Sequence, residues 1–355
     1  MHRKLSVLFL IGIGILVALL YFVDFDKVFA MLWSIPIEYL ILLFIVQLST
    51  MLLAALKWRI ILKHSNVSMR NLIPTIFTGY LINNITPVGL AGGEPVKAYI
   101  LSKTEKIPIT TAASSVIADL FIEIFPLFIL SATAIILVFM MGIPIELGIA
   151  LGVIALALLI VFIIALSAVL HKEISGKIVC LVVAIISRVP VLRRKSPKLK
   201  SEVDTISSKF NQAMRKHMLD RDILVFATLI SMTVWVLRIL RLWLAFKALG
   251  VEVPIHYALI VETTTSVISF FPAIPGAVGI WEGTSVAIFM ALGIPKAIAT
   301  AGTILSRIFF YLLPSFIGVL AALSLGIGIR GILDVPGAMN RKVARQKAKQ
   351  QPGRQ

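Results

Sequence analysis

The chain has 355 residues, of which 59% are hydrophobic and 14% are charged, and its mean hydropathy is +1.00. This composition excludes a soluble globular protein and indicates a polytopic membrane protein, because a soluble domain cannot hide so much apolar surface. The net charge of +17 does not indicate a nucleic-acid partner, since the basic residues lie in loops and a tail between apolar runs. That distribution favours anionic lipid headgroups as partners. The single cysteine, Cys180, excludes an internal disulfide and a cysteine-based metal site.

The first two apolar runs predict two membrane spans. Leu5–Val23 follows His-Arg-Lys and lacks a cleavage site, which predicts an uncleaved span with a cytoplasmic N-terminus. The acidic segment Asp24–Glu38 is then expected outside. The second span, about Ile37–Leu56, is predicted to end at a group of cytoplasmic charges: Lys57, Arg59, Lys63 and Arg70.

The next segment, Asn71–Ser102, predicts a re-entrant hairpin. Its apolar arms, Leu72–Ile82 and Val96–Leu101, are each too short for a core about 30 Å thick, which needs about 20 residues. The Gly- and Pro-rich turn Asn83–Pro95 lies between them, and we expect Pro74, Pro87 and Pro95 to interrupt any single helix. Irregular backbone at membrane depth must be buried in protein or line a wet cavity.

Two further spans follow the hairpin. Ile109–Met141 is expected to kink near Pro126 and carries Asp119 and Glu123 one helical turn apart; Gly148–Leu170 is the fourth span. Residues 171–221 then hold twelve Lys or Arg and four acids, which predicts a cytoplasmic segment. Apolar residues at helical spacing within it favour an amphipathic helix on the membrane surface, or one packed on the protein's own cytoplasmic face.

The C-terminal part repeats this organisation. The fifth span, Ile223–Leu249, carries Arg238 and Arg241, and Tyr257–Pro295 again has two short arms around a Pro/Gly turn. The last span is Ala297–Ile329, and the basic tail 331–355 is expected to be disordered, cytoplasmic and lipid-facing.

Four anchors identify an internal repeat, with halves at about 71–141 and 257–330. Each recurs after the same interval of 188 residues: Pro87, Glu94, Asp119 and Pro126 as Pro275, Glu282, Arg307 and Pro314. Three full spans separate the hairpins, so the hairpins enter from opposite sides, as in inverted-repeat transporters. The predicted fold is an all-α polytopic membrane protein with about six full transmembrane helices and two re-entrant hairpins. It forms a single domain over residues 1–330, in the cell membrane, with both termini cytoplasmic.

Seven charges are predicted at membrane depth: Glu94, Asp119, Glu123, Arg238, Arg241, Glu282 and Arg307. Each costs roughly 2.5–3.5 kcal/mol at a helix centre, so they must pair or face water. An inverted two-fold would bring Asp119 and Arg307 close together, as an ion pair or as two walls of one cavity. Two alternatives stay open. The charges could serve only to hold the helices together, and Asn83 and Asn84 could serve only to cap the turn.

The motif Asn83-Asn84-x-x-Pro87-x-Gly89-x-x-Gly92-Gly93-Glu94, followed by Lys97, resembles the signature of the lysylphosphatidylglycerol synthase transmembrane family. Phe271-Pro272-Ala273-Ile274-Pro275-Gly276-x-x-Gly279-x-x-Glu282, followed by Arg307, resembles the same family's C-terminal signature, and the likeness covers about residues 5–330. The resemblance implies a flippase-like protein that moves polar-headgroup lipids between leaflets. The aminoacyl-transferase domain of the best-known members is absent from this sequence. Lys97 stands where arginine is expected in many members, so bidentate phosphate recognition is not carried over there.

The leading hypothesis is a flippase or scramblase. A polar groove at the membrane midplane would shelter the headgroup of a phospholipid or polyprenyl-phosphate lipid. On this hypothesis the protein is not an enzyme and needs no cofactor or metal. The alternatives are a membrane-embedded transferase or hydrolase for lipid-linked phosphate or sugar, a non-transporting partner of an envelope-lipid enzyme, and a small-solute transporter. No P-loop pattern is present to couple transport to ATP. An oligomer is compatible with the sequence, which names neither the lipid nor the direction of movement. The residues expected to line the groove are Asn83, Asn84, Pro87, Gly92, Gly93, Glu94, Lys97, Asp119, Glu123, Arg238, Arg241, Pro275, Gly276, Glu282 and Arg307.

Overall fold

The computed structural model describes residues 25–86, 92–142, 208–268 and 275–326, together with eight helical positions between 149 and 167. Every regular element in these ranges is a helix, which confirms the all-α class. The N-terminal helices are α1 (Phe25–Trp33), α2 (Ile37–Ile61), α3 (Met69–Ile85), α4 (Glu94–Thr104) and α5 (Ile109–Met140). After a helical segment at 208–218 come α6 (Arg221–Ala248), α7 (Ile255–Ile268), α8 (Ile280–Ala291), α9 (Lys296–Arg307) and α10 (Leu313–Ser324).

Four helical stretches are long and apolar enough to cross a membrane. They are α2, α5, α6 and the stretch Lys296–Ser324, in which a π-helical turn at Ile308–Leu312 joins α9 to α10. The predicted first span Leu5–Val23 lies outside the described residues, and only scattered helical positions describe the predicted fourth span. The tail 331–355 and most of 171–221 also lie outside.

Each motif segment contains two short helices, and part of the connection between them lies outside the described residues. At about 1.5 Å per residue, α4, α7 and α8 are about 16, 21 and 18 Å long, and α3 is about 26 Å long. All four are shorter than the roughly 30 Å hydrocarbon core. The order α3–α4–α5 therefore recurs as α7–α8–α9, as the 188-residue repeat predicts. That the two hairpins enter from opposite sides stays a prediction.

Three details differ from the sequence predictions. The helix α2 continues past Leu56 to Ile61, so Lys57 and Arg59 are helical residues and Lys57 is buried. Pro74 lies inside α3 without ending it, because a buried helix can tolerate one missing main-chain hydrogen bond when its neighbours pack tightly. The predicted outside loop Asp24–Glu38 contains the helix α1, whose Val28 packs against Ala301 of α9.

Helix packing places polar residues inside and apolar residues outside. The helix α6 packs along α2, and α10 packs along α3, where Gly318 lets the two backbones approach closely. Large apolar side chains are instead exposed on the outer surfaces of α2 and α6, as expected against lipid. The interior between these helices holds the charges that the sequence places at membrane depth.

Candidate functional site

Lys57 of α2 holds two carboxylates of α5. Its Nζ lies 2.9 Å from Asp119 Oδ1 and 3.2 Å from Glu123 Oε2. Asp119 and Glu123 are four residues apart on one helix face, so a single ammonium group can reach both. The Lys57 side chain is 3% exposed, and the two acids supply the charge that its burial requires.

A lysine–glutamate pair lies at the start of α4, directly after the first hairpin turn. Lys97 Nζ lies 2.6 Å from Glu94 Oε2, one helical turn earlier. The Asn83 side chain of α3 accepts a hydrogen bond of 2.6 Å from the Gly93 main-chain N–H. An added Cβ at Gly93 would overlap the Gly79 carbonyl, so a glycine is required where α4 begins against α3.

Glu262 of α7 joins the two arginines of α6. Arg238 Nε donates to its Oε1 at 3.0 Å, and Arg241 Nη2 lies 3.3 Å from its Oε2. Arg241 also donates to the Gln47 side chain of α2 at 2.9 Å. Arg238 also links this group to α5, because its Nη1 lies 3.8 Å from Glu123 Oε1.

The second hairpin holds its own ion pair. Arg307 Nε, at the end of α9, lies 2.8 Å from Glu282 Oε1, while Arg307 Nη2 donates to the Gly276 carbonyl in the turn. The other Glu282 oxygen accepts from the Gly279 main-chain N–H at 2.7 Å and so caps α8. Arg307 thereby fixes the turn that precedes α8.

Aromatic residues of the π-helical turn connect the two halves. The guanidinium groups of Arg241 and Arg307 lie 4.7 and 5.0 Å from the centre of the Phe310 ring. Tyr311 stacks on Arg307 and donates its hydroxyl to the Asn84 main-chain carbonyl at 3.0 Å. The Asn84 side chain donates back to the Tyr311 carbonyl and to Ser315. A π-helical turn often marks a functional site. Here its rings contact Arg241 and Arg307, and Tyr311 also bonds to Asn84 of the first hairpin.

These contacts bring most of the predicted residues together. Each of the seven predicted charges makes an ion pair, which is one of the two arrangements expected of them. No ion pair joins Asp119 to Arg307 among the described residues, since Lys57 and Glu282 take them instead. The alternative, that the two line one cavity, stays a prediction.

The turn residues have separate places. Gly276 has a positive φ of 60°, within the single 3-10 turn that Pro275 begins. Gly92 lies against Thr86, whose hydroxyl an added Cβ would overlap. Pro87 lies outside the described residues. Asn83 bonds across the hairpin turn to Gly93, as a residue that caps the turn would. Asn84 instead bonds to Tyr311 and Ser315 of the other half, so it does more than cap the turn.

Sequence reasoning did not include Lys57 and Glu262 among these charges. Lys57 was assigned to a cytoplasmic group because Arg59 and Lys63 follow closely. Glu262 could have been found from the sequence, because it is the only acidic or basic residue, apart from one histidine, in the apolar segment that forms α7. With Lys97 also counted, the charge network comprises five carboxylates and five cations: Glu94, Asp119, Glu123, Glu262 and Glu282, with Lys57, Lys97, Arg238, Arg241 and Arg307. Its formal charge is therefore zero.

One protein family matches the part of the chain that contains all of these residues. The sequence profile described as "Lysylphosphatidylglycerol synthase TM region" matches residues 8–318, which include both hairpins and every member of the charge network. The chain belongs to this family. The match extends over the membrane part and confirms the resemblance seen in the two motifs.

Several archaeal relatives agree over nearly their whole length. A UPF0104 membrane protein of Methanothermobacter thermautotrophicus is 30% identical over 92% of this chain and 94% of its own. One of Methanocaldococcus jannaschii is 27% identical over 90% and 94%, and one of Pyrococcus horikoshii is 25% identical over 89% and 95%. All three relatives are described as membrane proteins, and each matches this chain over nearly its whole length.

Proposed function

We propose that this protein moves a phospholipid between the two leaflets of the membrane, with the headgroup passing along the charge network and the acyl chains remaining in lipid. The observation that carries the proposal is the buried, self-neutral network of ten ionisable side chains, built by both hairpins and the helices between them. Charged residues inside a membrane are costly and commonly mark a substrate pathway.

Access to the network is best at the Glu123–Arg238 pair. These side chains are 29% and 26% exposed, whereas the other members of the network are at most 12% exposed. Their separation of 3.8 Å is also the longest in the network, so the pair is the one most readily opened. The headgroup is proposed to enter there.

The entering phosphate replaces a carboxylate as the partner of Arg238. The planar guanidinium group suits two phosphate oxygens, and Glu123 keeps Lys57 as its partner when Arg238 turns to the lipid. Two donors lie ready next to this pair, since Trp235 Nε1 and Arg241 Nε are buried without a hydrogen-bond partner in the described part of the chain. The Trp235 ring also stacks under the Arg238 guanidinium at 4.1 Å.

Partner exchange limits the uncompensated charge at each step. A phosphate that leaves Arg238 meets Arg241 one turn later, where the displaced Glu262 keeps Arg238 as its partner. It then meets Arg307 across the Phe310 ring, where the displaced Glu282 keeps the hydrogen bond from the Gly279 main-chain N–H. The cost of an uncompensated charge, several kcal/mol in a buried site, is thus reduced. This sequence of exchanges supports movement of anionic or zwitterionic phospholipids.

Reconstitution into liposomes tests the proposal. Fluorescent phosphatidylglycerol and phosphatidylethanolamine are placed in the inner leaflet, and their arrival outside is followed by a membrane-impermeant quencher. The wild-type protein is expected to accelerate arrival over protein-free liposomes. Arg238→Gln is expected to slow it at least tenfold, while Arg221→Gln, at the exposed start of the same helix, stays within twofold of wild type.

Two results would overturn the proposal. One is a rate that equals that of empty liposomes for both lipids, which would favour a non-transporting partner. The other is chemical conversion of the labelled lipid, detected by chromatography after the assay, which would favour a membrane-embedded transferase or hydrolase.

A further inference from the structure

A second polar cavity lies away from the charge network, at the predicted cytoplasmic face. It has a volume of about 380 Å³ and is enclosed by the helical segment 208–218, the connection after α2 and the first turn of α5. Basic and imidazole side chains line it together with three hydroxyl-bearing residues: His64, Lys209, Lys216 and His217, with Ser65, Thr110 and Thr111. None of its lining residues is acidic.

His217 lies in this wall without a partner. Its side chain is buried, with 2% of the residue exposed, and neither ring nitrogen makes a hydrogen bond in the described part of the chain. Main-chain groups of Ile61 and Thr111 lie beside the ring and raise its pKa, but the larger effect of burial lowers the pKa below its usual value of 6.5. The imidazole is therefore neutral at pH 7 and has one donor and one acceptor. A buried polar group in this position can hydrogen-bond to a bound ligand.

The start of α5 adds main-chain donors. Pro108 precedes the helix, and main-chain hydrogen bonding within it begins only at Thr111 and Ala112, which both donate to the Pro108 carbonyl. The N–H groups of Ile109 and Thr110 therefore have no intrahelical partner. The positive end of the dipole of this 32-residue helix lies at the same place and favours an anion.

We propose that this cavity binds a phosphate group, held by Lys209, Lys216 and His217 and by the first turn of α5. Asp220, the acid closest to His64, is already occupied by Lys63 and His64 and leaves the two lysines without an acidic competitor in the cavity wall. The volume lies at the lower end of the roughly 300–1,000 Å³ usual for ligand pockets, which suits a phosphorylated headgroup or a small phosphoester.

The site is separate from the proposed pathway. Thr111 precedes Asp119 by eight residues, or about 12 Å along α5. The cavity therefore lies about two helical turns beyond the network. A phosphate bound there would hold segment 208–218 against α5 whether or not lipids are translocated.

Binding by the full chain in a neutral detergent tests the inference. Calorimetric titrations use inorganic phosphate in one arm and water-soluble dihexanoyl-phosphatidylglycerol in the other, and histidine ring NMR signals report on His217. We expect saturable binding that shifts the ring signals of His64 and His217, the two histidines of the cavity wall, with the affinity at least tenfold lower in Lys216→Gln. Arg215→Gln removes the same charge from an exposed position on the same helix, outside the cavity wall, and is expected to bind within twofold of wild type.

Each outcome of these titrations supports or overturns the phosphate site. Saturation by both compounds supports a site for any phosphate group, and saturation by the lipid alone supports the lipid headgroup as its ligand. Equal affinities for Lys216→Gln and Arg215→Gln, or no saturable binding in either arm, overturn the inference. Because Lys216 is exposed, its substitution leaves the fold intact, and the result does not depend on the translocation assay.

Discussion

Arg241 and Glu262 form an ion pair between α6 and α7 in which the side chains are 3% and 1% exposed. The same carboxylate also binds the partly exposed Arg238, so one acid compensates two cations. Breaking a buried pair by removing one partner leaves an uncompensated charge, whose cost is usually about 3–5 kcal/mol. Glu262 is therefore central to the stability of this part of the molecule.

We predict that Glu262→Gln lowers the free energy of unfolding by about 3–5 kcal/mol, because the buried Arg241 loses its carboxylate partner and Arg238 keeps only Glu123, while the side-chain volume is kept. Titration with denaturing detergent in mixed micelles measures this. Glu252→Gln, at an exposed position between α6 and α7, is expected to change it by less than about 0.5 kcal/mol. The double variant Glu262→Gln/Arg241→Gln should recover part of the loss. Equal stability of the Glu262 and Glu252 variants would contradict the role given to Glu262.

The internal repeat explains which pairings the sequence could predict. Glu94 and Asp119 correspond to Glu282 and Arg307 after 188 residues. In the second half an acid and a base occupy these positions and bind each other directly. In the first half both are acids, so each needs a separate lysine, Lys97 or Lys57. The expected pairing of Asp119 with Arg307 overlooked these nearer partners.

Helix bounds were easier to predict than side-chain partners. The predicted spans Ile109–Met141 and Ile223–Leu249 agree within two residues with α5 and α6, because a long, mainly apolar run is typical of a helix that crosses the bilayer. Lys57 was misplaced because a charge near a helix end is usually at the interface. Its burial depends on two carboxylates about 60 residues further along the chain, which no local pattern shows.

The turn of the second hairpin provides a test of close packing. Gly276 has a positive φ, and an added Cβ would overlap the ring of Tyr311. Gly250 has a similar φ of 72° but open space around it. We predict that Gly250→Ala lowers the free energy of unfolding by about 1 kcal/mol, from backbone strain alone. Gly276→Ala should cost a further 1–3 kcal/mol or so, from overpacking.

Substitution of the ring separates these two causes. Tyr311→Ala removes the atoms that the new methyl group would overlap, so the cost of Gly276→Ala should be smaller in that background. The same unfolding titration measures all four variants. Equal costs for Gly276→Ala with and without the Tyr311 ring would show that strain, not packing, requires glycine there.

Asp220, at the start of α6, predicts how stability changes in acid. Its carboxylate lies 2.7 Å from Lys63 Nζ and 2.8 Å from His64 Nε2, and the hydrogen bond from Lys63 is the main cause that lowers its pKa to about 2 from 3.8. A lowered pKa in the folded state means that the stabilisation is complete above about pH 4 and is lost as the pH falls towards 2. Asp220→Asn still accepts from the main-chain N–H groups of Asp222 and Ile223, so the helix cap remains while the charge is lost. We therefore expect the wild type to exceed Asp220→Asn in thermal unfolding temperature at pH 5, and the difference to vanish towards pH 2.5.

Asp222 provides the control, because its side chain is 71% exposed. Asp222→Asn should differ from the wild type much less at pH 5. A difference in unfolding temperature between the wild type and Asp220→Asn that does not change with pH would refute the assignment.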